Sequence, residues 1–294
     1  MAKTQGNVDP MIPGNKVVAI FGFCDIRSFT KLTNILQERI IVFVNEIADI
    51  VHGTVDKFSG AANKNIGNSF LLVWKFEEED TMFDPERGNQ VPIQNSVRVG
   101  QLADMSVISF LKILAQIKKS YYLDKFMRRK EVARKLKADK VNMGFGLHTG
   151  WAIEGAIGSD FKIDASYLSP NVNLASRIEA ATVQYGLPFL ISGELFKILT
   201  RKTQSFMRQI DCVTVKGSSQ PIDLFTCDLD FSRIKVEPSM ERTNNQSHTG
   251  KQVKKVQQRI ERTRLQQQCM GVPGVSEEQR FQIATMFKED EDLK

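Results

Sequence analysis

A chain of 294 residues can hold one large domain with extensions or two small ones. Its 41% hydrophobic and 25% charged residues are ordinary for a soluble globular protein. No run approaches the roughly 18 apolar residues of a membrane span, and the first residues lack a signal-peptide core. Four cysteines without CxxC spacing point to reduced thiols and against a zinc site, and three separated histidines make no metal cluster. The expected setting is the cytoplasm, for the chain alone or as the cytosolic part of a larger or membrane-anchored assembly. The net charge of +6 gathers in two basic runs, 125–140 and 251–264. Such runs read as solvated helix faces, and no nucleic-acid partner is expected.

Residues 1–15 form a lead-in. Residues 16–23 (KVVAIFGF) are β-branched and aromatic and predict a buried strand. Residues 29–55 carry helical periodicity through Ile40, Val44, Ile47 and Val51. Residues 61–66 and 70–76 flank Gly67-Asn68 and predict a hairpin. Residues 77–101 have no clear period and read as a loop within an insertion at about 76–104. An amphipathic helix follows at 105–118, then the basic segment 125–140. Residues 142–147 and 152–157 read as two strands joined across His148-Thr149-Gly150. A helix at 173–185, a strand at 189–192, a helix at 193–199 capped by Ser192, and strands at 206–215 and 222–227 complete the pattern. Hairpins mixed with crossover helices predict an α+β sandwich of the ferredoxin-like kind. From residue 231 the chain reads as a polar linker to 250, a basic helix candidate at 251–268 and an acidic end.

Four segments carry candidate chemistry. FGFCDIRSFT (21–30) ends a buried strand on Asp25 and turns into a helix, putting a carboxylate beside free backbone N–H groups. That suits a divalent cation and phosphates, or a helix-capping carboxylate. NKNIGNSF (63–70) is the hairpin turn. NVNLASRIEA (171–180) sets Asn173 and Arg177 four apart on one helix face. VKGS (215–218) places Lys216 at a glycine turn.

In this order, with HTG at 148–150 and GAIG at 155–158 between them, the segments resemble the class III adenylyl/guanylyl cyclase catalytic domain over about 16–230. The likeness is greatest to protist versions with the FGFCDIR and ANKNIG phrases. The resemblance implies two such domains packed head to tail around shared active sites. It implies attack of a ribose 3′-hydroxyl on the α-phosphorus of a nucleoside triphosphate, with release of pyrophosphate. It also implies Mg²⁺ or Mn²⁺ in a two-metal site, the ions about 4 Å apart. Asp25 matches one metal-binding Asp, with the Ile26 backbone beside it, and the other falls on Asn68. A neutral amide between two dications loses much of the attraction, although Asn68 is also a good turn residue that tolerates positive φ. Lys64 matches the base-recognising lysine of adenylyl cyclases, favouring ATP over GTP. Ser166 aligns with its base-reading partner, and Asp164 is the alternative. Asn173 matches the ribose-orienting residue, Arg177 the transition-state arginine, and Lys216 the triphosphate lysine. The loop from Ile26 through Phe29 to Thr30 matches the β- and γ-phosphate site.

The resemblance thus implies an intact base-reading half beside a damaged metal half. The leading expectation is one half of a heterodimeric cyclase site. The alternatives are an inactive, dimerising pseudo-cyclase and, more weakly, a structural component docking through its C-terminal segment.

Overall fold

A computed structural model of the chain describes residues 12–136, 140–159, 162–214, 221–231 and 233–236. Lys216, most of the 232–250 linker, the 251–268 helix candidate and the acidic end lie outside these residues. In chain order the elements are β1 (Asn15–Ile26), α1 (Phe29–Leu36), α2 (Ile40–Lys57), β2 (Ala61–Ile66), β3 (Ser69–Lys75), β4 (Thr81–Asp84) and β5 (Asn89–Pro92). Then come α3 (Val97–Lys119), α4 (Tyr121–Met127), α5 (Lys130–Leu136), β6 (Met143–Ser159), β7 (Lys162–Leu168), α6 (Pro170–Tyr185) and β8 (Phe189–Ser192). The last are α7 (Gly193–Ile198), α8 (Arg201–Gln204), β9 (Met207–Val213) and β10 (Ile222–Cys227).

The main sheet runs β2-β3-β1-β6-β8-β10-β9, with β7 paired to the far end of β6. Among the described residues only β6 and β8 pair in parallel, joined by the α6 crossover. Both faces are covered. On one, Val18, Ile20 and Cys24 of β1, Leu72 and Trp74 of β3, and Phe145 of β6 pack against α1 to α5 and α7. On the other, Ala19 and Phe21 of β1, Leu71 and Val73 of β3, and Ala152 pack against Val172 and Ala175 of α6. Burial on both faces explains why β1 reads as an unbroken apolar run rather than an alternating one. Among the described residues no helix is long and apolar enough to cross a membrane.

The α+β sandwich holds, and five local expectations need correction. Residues 148–150 are no turn: β6 runs unbroken through them, with His148 opposite Phe21 and Gly150 opposite Ala19. The segment 29–55 is two helices parted by a turn at residues 37–39, where Gln37 has φ 50°. The supposed loop at 77–101 contains the β4–β5 ribbon, which Arg87 ties to Glu194 of α7 at 2.7 Å. The helix expected at 105–118 begins at Val97, because Ser96 caps it and buried Asp104 accepts from Thr200. Positive φ at the β2–β3 turn belongs to Gly67 alone (63°), so Asn68 is not there to supply it.

Helix α6 carries two of the site residues, and its seat is set by sequence. Ser169 caps it by accepting from the Asn171 backbone N–H, Pro170 opens it, and Gly186 closes it at φ 65°. Its backbone lies so near β6 that a Cβ on Gly146 would stand 2.3 Å from the Glu179 nitrogen. Gly146→Ala should therefore push α6 outward and cost about 2 kcal/mol, as overpacking does. Thermal unfolding should show a midpoint several degrees lower, on the order of 4 °C or more, and an unchanged midpoint would contradict this packing.

Candidate active site

Asp25 sits at the C-terminal end of β1, opposite Ser69 of β3 and Gly144 of β6. Paired strand residues share a face, so Asp25 and Lys64 (opposite Leu71) project on the α6 side of the sheet. The Asp25 Oδ1 accepts from the Ser69 hydroxyl at 2.8 Å and from the side-chain amide of Asn68. That amide also donates to the Ile26 carbonyl at 3.4 Å. The Ile26 N–H in turn donates to the Asn68 carbonyl at 3.2 Å. Half-burial raises the Asp25 carboxyl above its ordinary value, against the opposing hydrogen bond from Ser69 and the charge of Arg27.

Behind Asp25 lies a polar cluster absent from the sequence reading. Arg27 pairs with Glu179 of α6 at 2.8 Å and also donates to Thr182. Burial pushes the Glu179 carboxyl up to about 7 despite Arg27, and the nearby charge of Asp25 adds to the rise. The available signal was the inward spacing of Asn171, Glu179 and Thr182, polar residues in register with buried Ala175 and Ile178.

Lys64 and Asp164 form an ion pair at 3.3 Å, joining β2 to β7 although the two strands are not neighbours in the sheet. Lys162 also reaches Asp164 at 3.3 Å, and these two lysines hold its carboxyl below the usual range, Lys162 first. Between them the strands carry a second tie, from the Asn63 amide to the Ala165 carbonyl at 3.3 Å. Asn63 is the extra residue of a bulge, at a register shift between Ala62 and Lys64. Ser166 lies two residues further along β7, opposite Gly155, on the same strand face as Asp164. Of the two sequence candidates, Asp164 is the one that touches Lys64.

Asn173 and Arg177 are exposed, one turn apart on the outer side of α6, and neither side chain has a hydrogen-bond or charge partner among the described residues. Phe29 and Thr30 open α1, Phe29 half-buried against the core and Thr30 exposed. Thr30 lies in the first turn, where backbone N–H groups are available to an anion. The structure thus brings Lys64 to Asp164, Asn173 to Arg177, and Asp25 to Asn68, as separate groups around the α6 side of the sheet. A cavity of about 400 Å³ lined by Arg27, Lys118, Asn142 and Thr182 contains none of these six residues.

A mixed sheet of this order with α6 across one face is the fold of nucleotide cyclase domains. The chain belongs to the family described as "Adenylate and Guanylate cyclase catalytic domain", which matches residues 13–227. It is 27% identical over 206 residues to an adenylate cyclase of Anabaena cylindrica, covering 69% of this chain and 35% of that protein. It is 24% identical to the terminal-differentiation specific adenylate cyclase of Dictyostelium discoideum, covering 71% of this chain and 8% of that one. The chain therefore spans about a third or less of the curated relatives it matches. Its fold is similar to a bacterial light-regulated adenylyl cyclase, with TM-score 0.56 and 22% identity over 75% of this chain and 55% of that one. It is also similar to the guanylate cyclase domain from Catenaria anguillulae solved with GTP, with TM-score 0.52 and 18% identity over 72% of this chain and 98% of that one.

Cyclases of this class generally use divalent metal ions, and the residues here do not fit a two-cation centre. Asp25 is the lone carboxylate at the turn, and the Asn68 amide presents N–H, not oxygen, to both neighbouring acceptors. Among the described residues no three His, Cys, Asp or Glu gather as a metal cluster.

Proposed function

We propose that residues 16–230 form the base-reading and transition-state half of a composite cyclase site, completed by a second cyclase domain that bears both carboxylates. The observation that carries this reading is the uneven state of the chain's own groups. Asn173 and Arg177 are exposed without side-chain partners among the described residues, while Asp25 Oδ1 and the Ile26 carbonyl already accept hydrogen bonds from Asn68, and Oδ1 from Ser69 too. Free groups suit a ligand brought by another domain.

In this reading Lys64 and Asp164 meet the edge of the base, with ATP favoured over GTP. Lysine donates and carboxylate accepts, which matches the acceptor N1 and donor N6 of adenine. Asn173 orients the ribose. The 3′-oxygen forms its bond to the α-phosphorus, the bond to the β-phosphate bridging oxygen breaks, and the 3′-hydroxyl proton leaves to solvent or the partner. Arg177 meets the charge that builds on the equatorial oxygens. In the same reading the N-terminus of α1, with Phe29 and Thr30, takes the β- and γ-phosphates, and Lys216 matches the lysine that binds the triphosphate. Cations in the composite centre are the partner's to hold.

The test mixes the full chain with a cyclase domain retaining both metal-binding carboxylates and measures cyclic AMP and cyclic GMP with Mn²⁺. The expected result is activity of the mixture well above either component, roughly a hundredfold or more, as restoring a transition-state arginine gives. Triphosphate binding without turnover in any mixture would instead make this a non-catalytic, dimerising domain.

A further inference from the structure

We infer that the Asn68 side-chain amide occupies the cation position of this chain's own half-site, so that Asn68 acts as a closure and not as a weak ligand. The inference rests on the reading of Asp25 and Ile26 as the metal-facing end of the fold. Two oxygens that would converge on a cation, Asp25 Oδ1 and the Ile26 carbonyl, converge on Asn68 Nδ2. Both are acceptors, so the amide must turn its N–H₂ toward them and its oxygen away. Two N–H donors of one group thus do what a positive ion does there, satisfying a partly buried carboxylate without importing charge.

Other reasons for an asparagine at this place are weak. The left-handed residue of the turn is Gly67, so the backbone at position 68 accepts any L-residue. The Asn68 carbonyl and the Ile26 N–H complete the turn through backbone atoms alone. What the side chain adds is the bridge between Asp25 and Ile26, which fixes the strand end against the start of the α1 loop. Ser69 holds the same Oδ1 at 2.8 Å, so that oxygen already accepts from two side chains.

A closure and a weak ligand predict opposite signs. If the amide oxygen ligated a cation, removing it would weaken binding; if the amide blocks the position, removing it strengthens binding. The experiment titrates Mn²⁺ into the full chain, without nucleotide or partner, and follows free ion by electron paramagnetic resonance. Wild type should bind only in the millimolar range, Asn68→Ala roughly tenfold tighter, and Asn68→Asp tighter again because it adds a carboxylate. Asp25→Asn on the Asn68→Asp background should abolish the gain. Asn68→Ser, checked with the others by circular dichroism, guards against misfolding of one variant. Weaker Mn²⁺ binding by Asn68→Ala and Asn68→Ser than by wild type would overturn the closure, as would wild-type binding equal to that of Asn68→Asp. Because no partner or turnover enters, the inference can stand even if every mixed cyclase assay is silent, and it can fail while those assays succeed.

Discussion

Arg177→Ala in the mixed enzyme should lower kcat by about 10²–10³-fold while KM stays within about threefold. The side chain stands on the outer face of α6, without a partner among the described residues, so it does no visible work for the fold. An exposed helix position of that kind usually changes stability by no more than about 0.5 kcal/mol on substitution. Arg177→Lys should recover part of the loss, since charge returns but the planar fork does not. The combination of normal melting, normal KM and a collapsed kcat belongs to a group that acts on the transition state. A loss of melting temperature with proportionate loss of all activity would instead assign Arg177 to structure. A kcat for Arg177→Ala within about threefold of wild type would remove the transition-state role altogether.

The same helix shows where the sequence was readable and where it was not. Asn173 and Arg177 lie four apart and point outward, so the 3.6-residue period alone places them together. Local spacing cannot say what the inward polar positions meet, and the Arg27–Glu179–Thr182 cluster needs a contact across 152 residues, from the turn after β1 to α6. Strand β7 went unread because KIDASYL mixes charge, Ala and Ser with few β-branched residues; it is a strand because β6 extends far enough to pair it. The HTG triplet looks like a turn by composition, yet its glycine makes room for the Asn171 side chain in the first turn of α6, which a Cβ there would meet at 2.4 Å. The ambiguity between Ser166 and Asp164 was one of register: both lie on one strand face, and the tie to Lys64 separates them. At the β2–β3 turn the sequence marked Asn68 as the departure from the family pattern. The direction of its amide depends on what Asp25 and Ile26 present, which only folding brings into place.

The second large effect concerns His148, which the sequence reading treated as a turn residue. It is buried in β6, its Nδ1 is 2.8 Å from the Ser192 hydroxyl, and its Nε2 is 3.3 Å from the Asn171 side-chain oxygen. Ser192 Oγ already accepts from the Leu195 N–H, so its own proton is free to donate to Nδ1, and Nε2–H donates to Asn171. The Asn171 amide passes the tie on to the Trp151 carbonyl at 2.8 Å, locking the first turn of α6 onto β6. The neutral ring is fully satisfied, and burial lowers its pKa to about 4, although Asn171 and the charge of Glu194 pull it back upward and Arg87 opposes them. The unfolded chain takes up this proton near pH 6.5 and the folded chain only near 4, so the stabilisation is complete above 6.5 and lost as pH falls toward 4. The loss amounts to about 3 kcal/mol across that window. Glu179 acts with the opposite sign: held near 7, it binds a proton more readily when folded, and its contribution is lost as pH rises from 4.5 toward 7. The two slopes offset each other in wild type, so its stability should change little across their shared window of about pH 4.5 to 6.5. Denaturant unfolding of Glu179→Gln should uncover the His148 slope, with stability dropping by about 3 kcal/mol from pH 6.5 to 4, and His148→Gln should uncover the reverse. A stability difference between wild type and His148→Gln that did not change with pH between 4 and 6.5 would mean the ring is not held neutral by this network. The consequence reaches the active site, because the turn of α6 that Asn171 anchors is the one that carries Asn173.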